Sequence, residues 1–199
     1  MEPIDSATEA ELQVLFLGNS LTAGYGLPLD QAYPALLQLW ADSLHWPVTM
    51  VNAGLSGETT AGGLRRLPWL FRSNVDVLVI ALGGNDGLRG LPPDATKDNL
   101  RQIIDQARDT FADVSILLAG MQMPPNLGDD YTAAFSALFT DLVEEKDVHF
   151  IPFLLEGVGG VDALNQSDGI HPNAEGQRIV ADNVWRVLRP ILDAHLTDR

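Results

Sequence analysis

Apolar residues fall along the chain in two rhythms. Short, nearly unbroken runs occupy residues 12–17, 48–51, 75–82, 114–119 and 148–153. Runs of that length without polar alternation suit strands covered on both faces, the third and fourth most of all. Between them, residues 31–44, 59–71, 94–111, 131–145 and 174–196 carry apolar side chains at helical spacing. Strand and helix therefore alternate from end to end. Parallel neighbours in a sheet need a crossover, and right-handed crossovers lay helices against both faces. The pattern predicts an α/β fold, a three-layer α/β/α sandwich around a five-stranded parallel sheet.

The 199 residues, 46% of them hydrophobic, suffice for one well-buried core and are too few for two. A single domain over 1–199 is expected, with its core at about 12–196. Residues 120–128 and 157–169 are rich in Gly and Pro and too long for tight turns, so they read as functional loops. A formal net charge of -15 repels phosphate backbones, and no basic cluster offsets it, which argues against a nucleic-acid partner. The absence of cysteine rules out disulfides and thiolate metal sites and fits any redox compartment.

The start, Met1-Glu2-Pro3-Ile4-Asp5, lacks the basic and apolar segments of a secretory leader, and no later run approaches the ~20 apolar residues of a membrane span. A leader removed before Met1 would also leave such a start, so periplasmic, secreted and cytoplasmic locations all stay open.

In an open parallel sheet, ligands collect outside the carboxyl ends of the strands. The polar residues of this chain gather there. Ser20 follows the first strand in Gly18-Asn19-Ser20-Leu21, Asn52-Ala53-Gly54 follows the second, Gly83-Gly84-Asn85-Asp86 the third, and Asp168-Gly169-Ile170-His171-Pro172 lies beyond the fifth. A lone serine after a strand is ordinarily a cap or turn residue. Here a histidine and a carboxylate accompany it. A serine hydroxyl becomes a nucleophile when a histidine takes its proton and an acid orients that histidine. His171 precedes proline, which keeps it out of helical dihedrals and in a loop. Asp168, three residues earlier, is spaced to bond the imidazole Nδ1. The Ser20 and Gly54 N–H groups and the Asn85 amide are the candidate oxyanion donors.

The other histidines, His45, His149 and His195, lack comparable context and read as surface residues. No dinucleotide fingerprint, phosphate loop or zinc helix occurs, and Asp162, Asn165 and Asp168 lack the spacing of a calcium loop. No metal or cofactor is expected. The Gly-x-Ser-x-Gly elbow is absent too, which argues against the α/β-hydrolase fold.

Taken in order, these four segments resemble the four blocks of the SGNH, or GDSL, hydrolases. The stretches Leu82-Gly83-Gly84-Asn85-Asp86-Gly87-Leu88-Arg89-Gly90 and Tyr131-Thr132-Ala133-Ala134-Phe135-Ser136 are similar to the bacterial thioesterase, lysophospholipase and arylesterase branch. The resemblance implies a flavodoxin-like sheet, with Ser20, Gly54, Asn85 and His171 as signature residues and Asp168 completing a triad. Asn19 stands where the family has aspartate; it keeps the shape and hydrogen-bonding capacity without the charge. The branch also implies a mobile loop at residues 87–92, with Leu88 and Leu91 over an acyl chain. Met121, Met123, Pro124 and Ile170 would line the rest of that groove.

The expected function is hydrolysis of carboxylic esters, and of thioesters or lysophospholipids, through an acyl-enzyme on Ser20. The partner is a small ester, thioester or lipid-like molecule, and the oligomeric state is not legible. A carbohydrate O-acetylesterase on the same scaffold and a non-catalytic binding module are the alternatives.

Overall fold

A computed structural model of the chain describes residues 11–197; the polar start, Met1 to Asp5, lies outside them. Strands β1 Leu12–Gly18, β2 Val48–Gly54, β3 Val77–Ala81, β4 Ser115–Ala119 and β5 His149–Ile151 form one parallel sheet in the order β2-β1-β3-β4-β5. Seven α-helices accompany them: α1 Ser20–Ala23, α2 Tyr33–Ser43, α3 Thr60–Leu70, α4 Gly84–Leu88, α5 Pro93–Thr110, α6 Asp129–Lys146 and α7 Ala174–Thr197. α2 packs on α7, while α5 packs on both α3 and α6, so the sheet lies between two helical layers. The predicted sandwich is the observed one.

Burial follows the hydrophobic pattern. All five residues of β3 are fully buried, as are Leu12, Val14, Phe16 and Leu17 of β1. Removing one such Leu or Ile side chain from water contributes about 1.5–3 kcal/mol before entropy opposes it. β2 is an edge strand with a mixed burial pattern, and it runs on past the apolar residues to Gly54, held by its ladder to β1 through Gly18. Residues 148–153 shorten to His149–Ile151 because Pro152 has no N–H for the ladder. There the Ile151 carbonyl accepts from Gly120 N–H at 2.8 Å, and the chain turns away.

β1 lies between β2 and β3, so the chain leaves its carboxyl end in one direction and returns to β3 from the other. A crevice opens where connections diverge in this way. The segments after β1, β2 and β3 therefore meet at one edge. No helix among the described residues is long and apolar enough to cross a membrane.

Candidate active site

Ser20 owes its position to a four-residue helix clamped on every side. Asn19 caps α1 by accepting from Leu21 N–H at 2.9 Å, a task its neutral amide oxygen performs as a carboxylate would. Thr22 shares a 2.9 Å hydrogen bond with Tyr33 of α2, and the Thr22 carbonyl accepts from Asn52 Nδ2 at 2.9 Å. Tyr33 is fully buried, and burial pushes its phenol pKa up, so the hydroxyl stays protonated. Gln177 of α7 accepts from Tyr33 N–H at 2.9 Å and donates to the Leu21 carbonyl at 3.3 Å. α1 is thereby tied to β2, α2 and α7.

His171 reaches this helix from a loop. Its Nε2 lies 2.9 Å from Ser20 Oγ, and its Nδ1 lies 2.7 Å from Asp168 Oδ2. The other carboxylate oxygen of Asp168 accepts from the N–H groups of Ile170 at 2.9 Å and His171 at 3.0 Å. The His171 N–H, followed by its imidazole and the Ile170 N–H, holds the Asp168 carboxyl down at about 2. An ionised Asp168 fixes the Nδ1–H tautomer and leaves the Nε2 lone pair facing the serine.

The candidate oxyanion donors divide differently from the sequence expectation. Ser20 N–H, at the start of α1, has no acceptor among the described residues. Asn85, in α4, donates from Nδ2 to the Glu58 carbonyl at 2.9 Å, which fixes the amide plane and leaves one N–H over. Gly54 does not fit: its N–H donates to Asn52 Oδ1 at 2.9 Å. What Gly54 supplies is space. A Cβ there would fall 2.3 Å from the Ala23 nitrogen, so only glycine lets α1 lie against the end of β2. Gly57, three residues on, has an N–H with no acceptor among the described residues, at a φ of 79° that glycine adopts without strain.

Cross-braces hold these donors. The buried Asp86 carboxylate accepts from Thr60 N–H at 2.9 Å and from its hydroxyl, joining α4 to the first turn of α3. Glu58 is paired with Arg66, which also donates to the Ala53 carbonyl at 2.8 Å. Arg89 donates to the Gly57 carbonyl at 2.9 Å.

The sequence matches the family of GDSL-like lipases and acylhydrolases over residues 16–179. It is 43% identical over 180 residues to esterase TesA of Pseudomonas aeruginosa, covering 90% of this chain and 89% of that one. It is 40% identical over 181 residues to thioesterase 1/protease 1/lysophospholipase L1 of Escherichia coli, covering 90% and 85%. A crystal structure of the psychrotrophic esterase EstA from Pseudoalteromonas, inhibited by monoethylphosphonate, superposes with a TM-score of 0.86 at 32% identity, covering 92% of this chain and 100% of that one. The chain belongs to the GDSL-like hydrolase family. It is a serine esterase, a carboxylic ester hydrolase.

The rim of this GDSL-like hydrolase is apolar in part. Leu88 at the end of α4, Leu91 and Ile170 on loops near the site, and Leu55 after β2 are all exposed. Pro124 is exposed and Met123 half-buried against Gly87. Met121 is the exception among the expected groove residues: it is only 3% exposed, sits in the core, and offers no surface to a ligand. Tyr131 donates to the Leu91 carbonyl at 2.8 Å, pinning the 87–92 segment to α6. The Tyr25 ring packs against His171 at a tilt of 41°, a contact no sequence signal announced.

A cavity of about 1070 Å³ in this GDSL-like hydrolase lies at the opposite end of the sheet. Asp76, Ser115, His149, Arg186 and His195 are among its lining. Ser115 Oγ and His195 Nε2 are 2.9 Å apart there, yet no carboxylate bonds His195 among the described residues. It lacks the orienting acid on which triad chemistry depends.

Proposed function

We propose that this esterase works through an acyl-enzyme on Ser20. His171 takes the serine proton on Nε2 as Oγ attacks the carbonyl carbon, and the tetrahedral intermediate forms. His171 then returns the proton to the departing alcohol or thiol, and the ester bond breaks. Water, deprotonated by the same imidazole, attacks the acyl-serine and releases the acid. Asp168 holds the tautomer throughout and stabilises the imidazolium. The observation that carries this reading is the unbroken chain from Ser20 Oγ through His171 to Asp168, at 2.9 and 2.7 Å.

For the oxyanion we assign Ser20 N–H, the free N–H of the Asn85 amide, and Gly57 N–H in place of Gly54. Support for Gly57 comes from its unoccupied N–H and from Asn85, which bonds the very next residue's carbonyl. Preorganised donors of this kind are each worth about 10²–10³ in kcat.

The substrate class is an ester or thioester with an apolar acyl chain, lysophospholipids included. Leu55, Leu88, Leu91 and Ile170 give such a chain somewhere to lie, and the names of the two curated relatives point the same way. Hydrolysis of p-nitrophenyl esters from acetate to palmitate, by the wild type and Ser20→Ala, tests both parts. Loss of turnover in Ser20→Ala with a preference for longer chains is expected. Acetate as the best substrate would instead mark a short-chain acetylesterase, and full turnover in Ser20→Ala would remove Ser20 from the mechanism.

A further inference from the structure

We infer that Tyr25 is a positioning residue for His171, and that its ring face steadies the positive charge the imidazole acquires during acyl transfer. The inference rests on the Ser20 mechanism proposed above. The two ring centroids are 4.6 Å apart and the planes are tilted by 41°. A cation within about 6 Å of an aromatic centroid is attracted by the ring quadrupole. The imidazole is neutral before reaction and cationic in the transition state, so the attraction is stronger where it accelerates the step.

The contact is built rather than incidental. Gly24, at a φ of 71°, turns the chain at the end of α1, and Tyr25 N–H donates to the Ser20 carbonyl at 3.0 Å. The Tyr25 backbone is therefore anchored to the nucleophile's own helix. Gln166 then joins it to the histidine loop: its Nε2 donates to the Tyr25 carbonyl at 2.7 Å and the Pro172 carbonyl at 3.1 Å, and its backbone N–H donates to the His171 carbonyl at 2.8 Å. Gly26 leaves room for this, since a Cβ there would fall 2.2 Å from Gln166 Oε1.

The groups facing the imidazole are Ser20 from α1, Asp168 from its own loop and Tyr25 from the segment after α1. No other ion pair or side-chain hydrogen bond reaches the ring among the described residues. The Tyr25 ring carries the interaction, and its hydroxyl does not. With 52% of its surface exposed, Tyr25 also contributes little to the core, so its replacement leaves the fold intact.

The test compares wild type, Tyr25→Phe, Tyr25→Leu and Ser20→Ala with one p-nitrophenyl ester from pH 4.5 to 8.5, each protein checked by thermal melting. Tyr25→Leu keeps bulk and removes the quadrupole. Its kcat should fall about two- to fivefold, as expected for an exposed cation–aromatic contact, with KM unchanged. The midpoint of its acid limb in kcat/KM should move to lower pH, because the imidazolium has lost a favourable neighbour. Tyr25→Phe should match wild type in both. A Tyr25→Leu enzyme with unchanged kcat and acid limb would overturn the inference, as would a limb moving to higher pH or a Phe variant as impaired as Leu. Ser20→Ala separates the role of Tyr25 from the serine mechanism. If it is inactive, those outcomes bear on Tyr25 alone; if it keeps full turnover, the serine mechanism falls and the inference with it.

Discussion

Two serine–histidine pairs occupy opposite ends of the sheet, each with Oγ and Nε2 2.9 Å apart. At the carboxyl end, His171 has Asp168 on its far nitrogen, and N–H groups without acceptors among the described residues stand on Ser20 and Gly57. At the amino end, Ser115 and His195 line a cavity of about 1070 Å³ with no acid bonded to the imidazole among the described residues and a serine at the first position of β4. Distance between nucleophile and base is thus the least discriminating part of a hydrolase site. The orienting acid and the unspent backbone donors separate a catalytic serine from a merely hydrogen-bonded one.

Exchanging the two serines for alanine gives the sharpest contrast. Ser20→Ala should lower kcat by at least about 10³-fold, whereas Ser115→Ala should leave it within about twofold; esterase assays on both variants decide. Comparable losses in the two would dissolve the distinction. Next in size is Asp168→Asn, which supplies the wrong tautomer and should cost about 10²–10⁴-fold in kcat with little change in KM. Steady-state kinetics that put the loss in KM would argue that Asp168 binds substrate. Gly54→Ala should cost about 10²-fold, because the new Cβ displaces α1 and Ser20 with it. An enzyme of normal kcat would mean that α1 tolerates the shift.

The smaller effects are in stability. Ser115→Ala removes one half-buried hydrogen bond and should lower stability by about 0.5–1.5 kcal/mol in denaturant titrations. At the other end, the folded-state pKa of Asp168 is depressed to about 2, so its contribution is fully present above the ordinary aspartate value of ~3.9 and is lost as pH falls through about 2. Melting temperatures of wild type and Asp168→Asn, compared from pH 6 downward, should converge between pH 4 and 2. A gap that stays constant over that window would contradict the depressed pKa.

Long, one-sided or continuous hydrophobic patterns carried most of the fold into the sequence. Residues 94–111 against α5 Pro93–Thr110, and 12–17 against β1, differ by single residues at their ends. α1 and α4 were not legible, because four- and five-residue helices are too short to display a period. They are also the elements that carry Ser20 and Asn85. Asp168 and His171 could be paired from their local spacing. The choice between Gly54 and Gly57 could not be made that way, since it turns on which N–H the Asn52 side chain captures. Met121 shows the same limit: an apolar residue after a strand faces core or groove according to packing, which composition does not encode.

Gln177 gives the site a sense of timing. It sits in the last helix, 144 residues beyond Tyr33 and 156 beyond Leu21, and it bonds both with one amide. The helix bearing Ser20 is therefore braced by a segment that leaves the ribosome long after it. Contacts over such sequence separations form late, because their loop closure is entropically demanding. Esterase activity should accordingly return on refolding in step with the docking of the carboxyl-terminal helix, after the sheet has regained its spectroscopic signature. Before that docking the serine does not have the geometry of a working nucleophile, because α1 lacks its Gln177 brace.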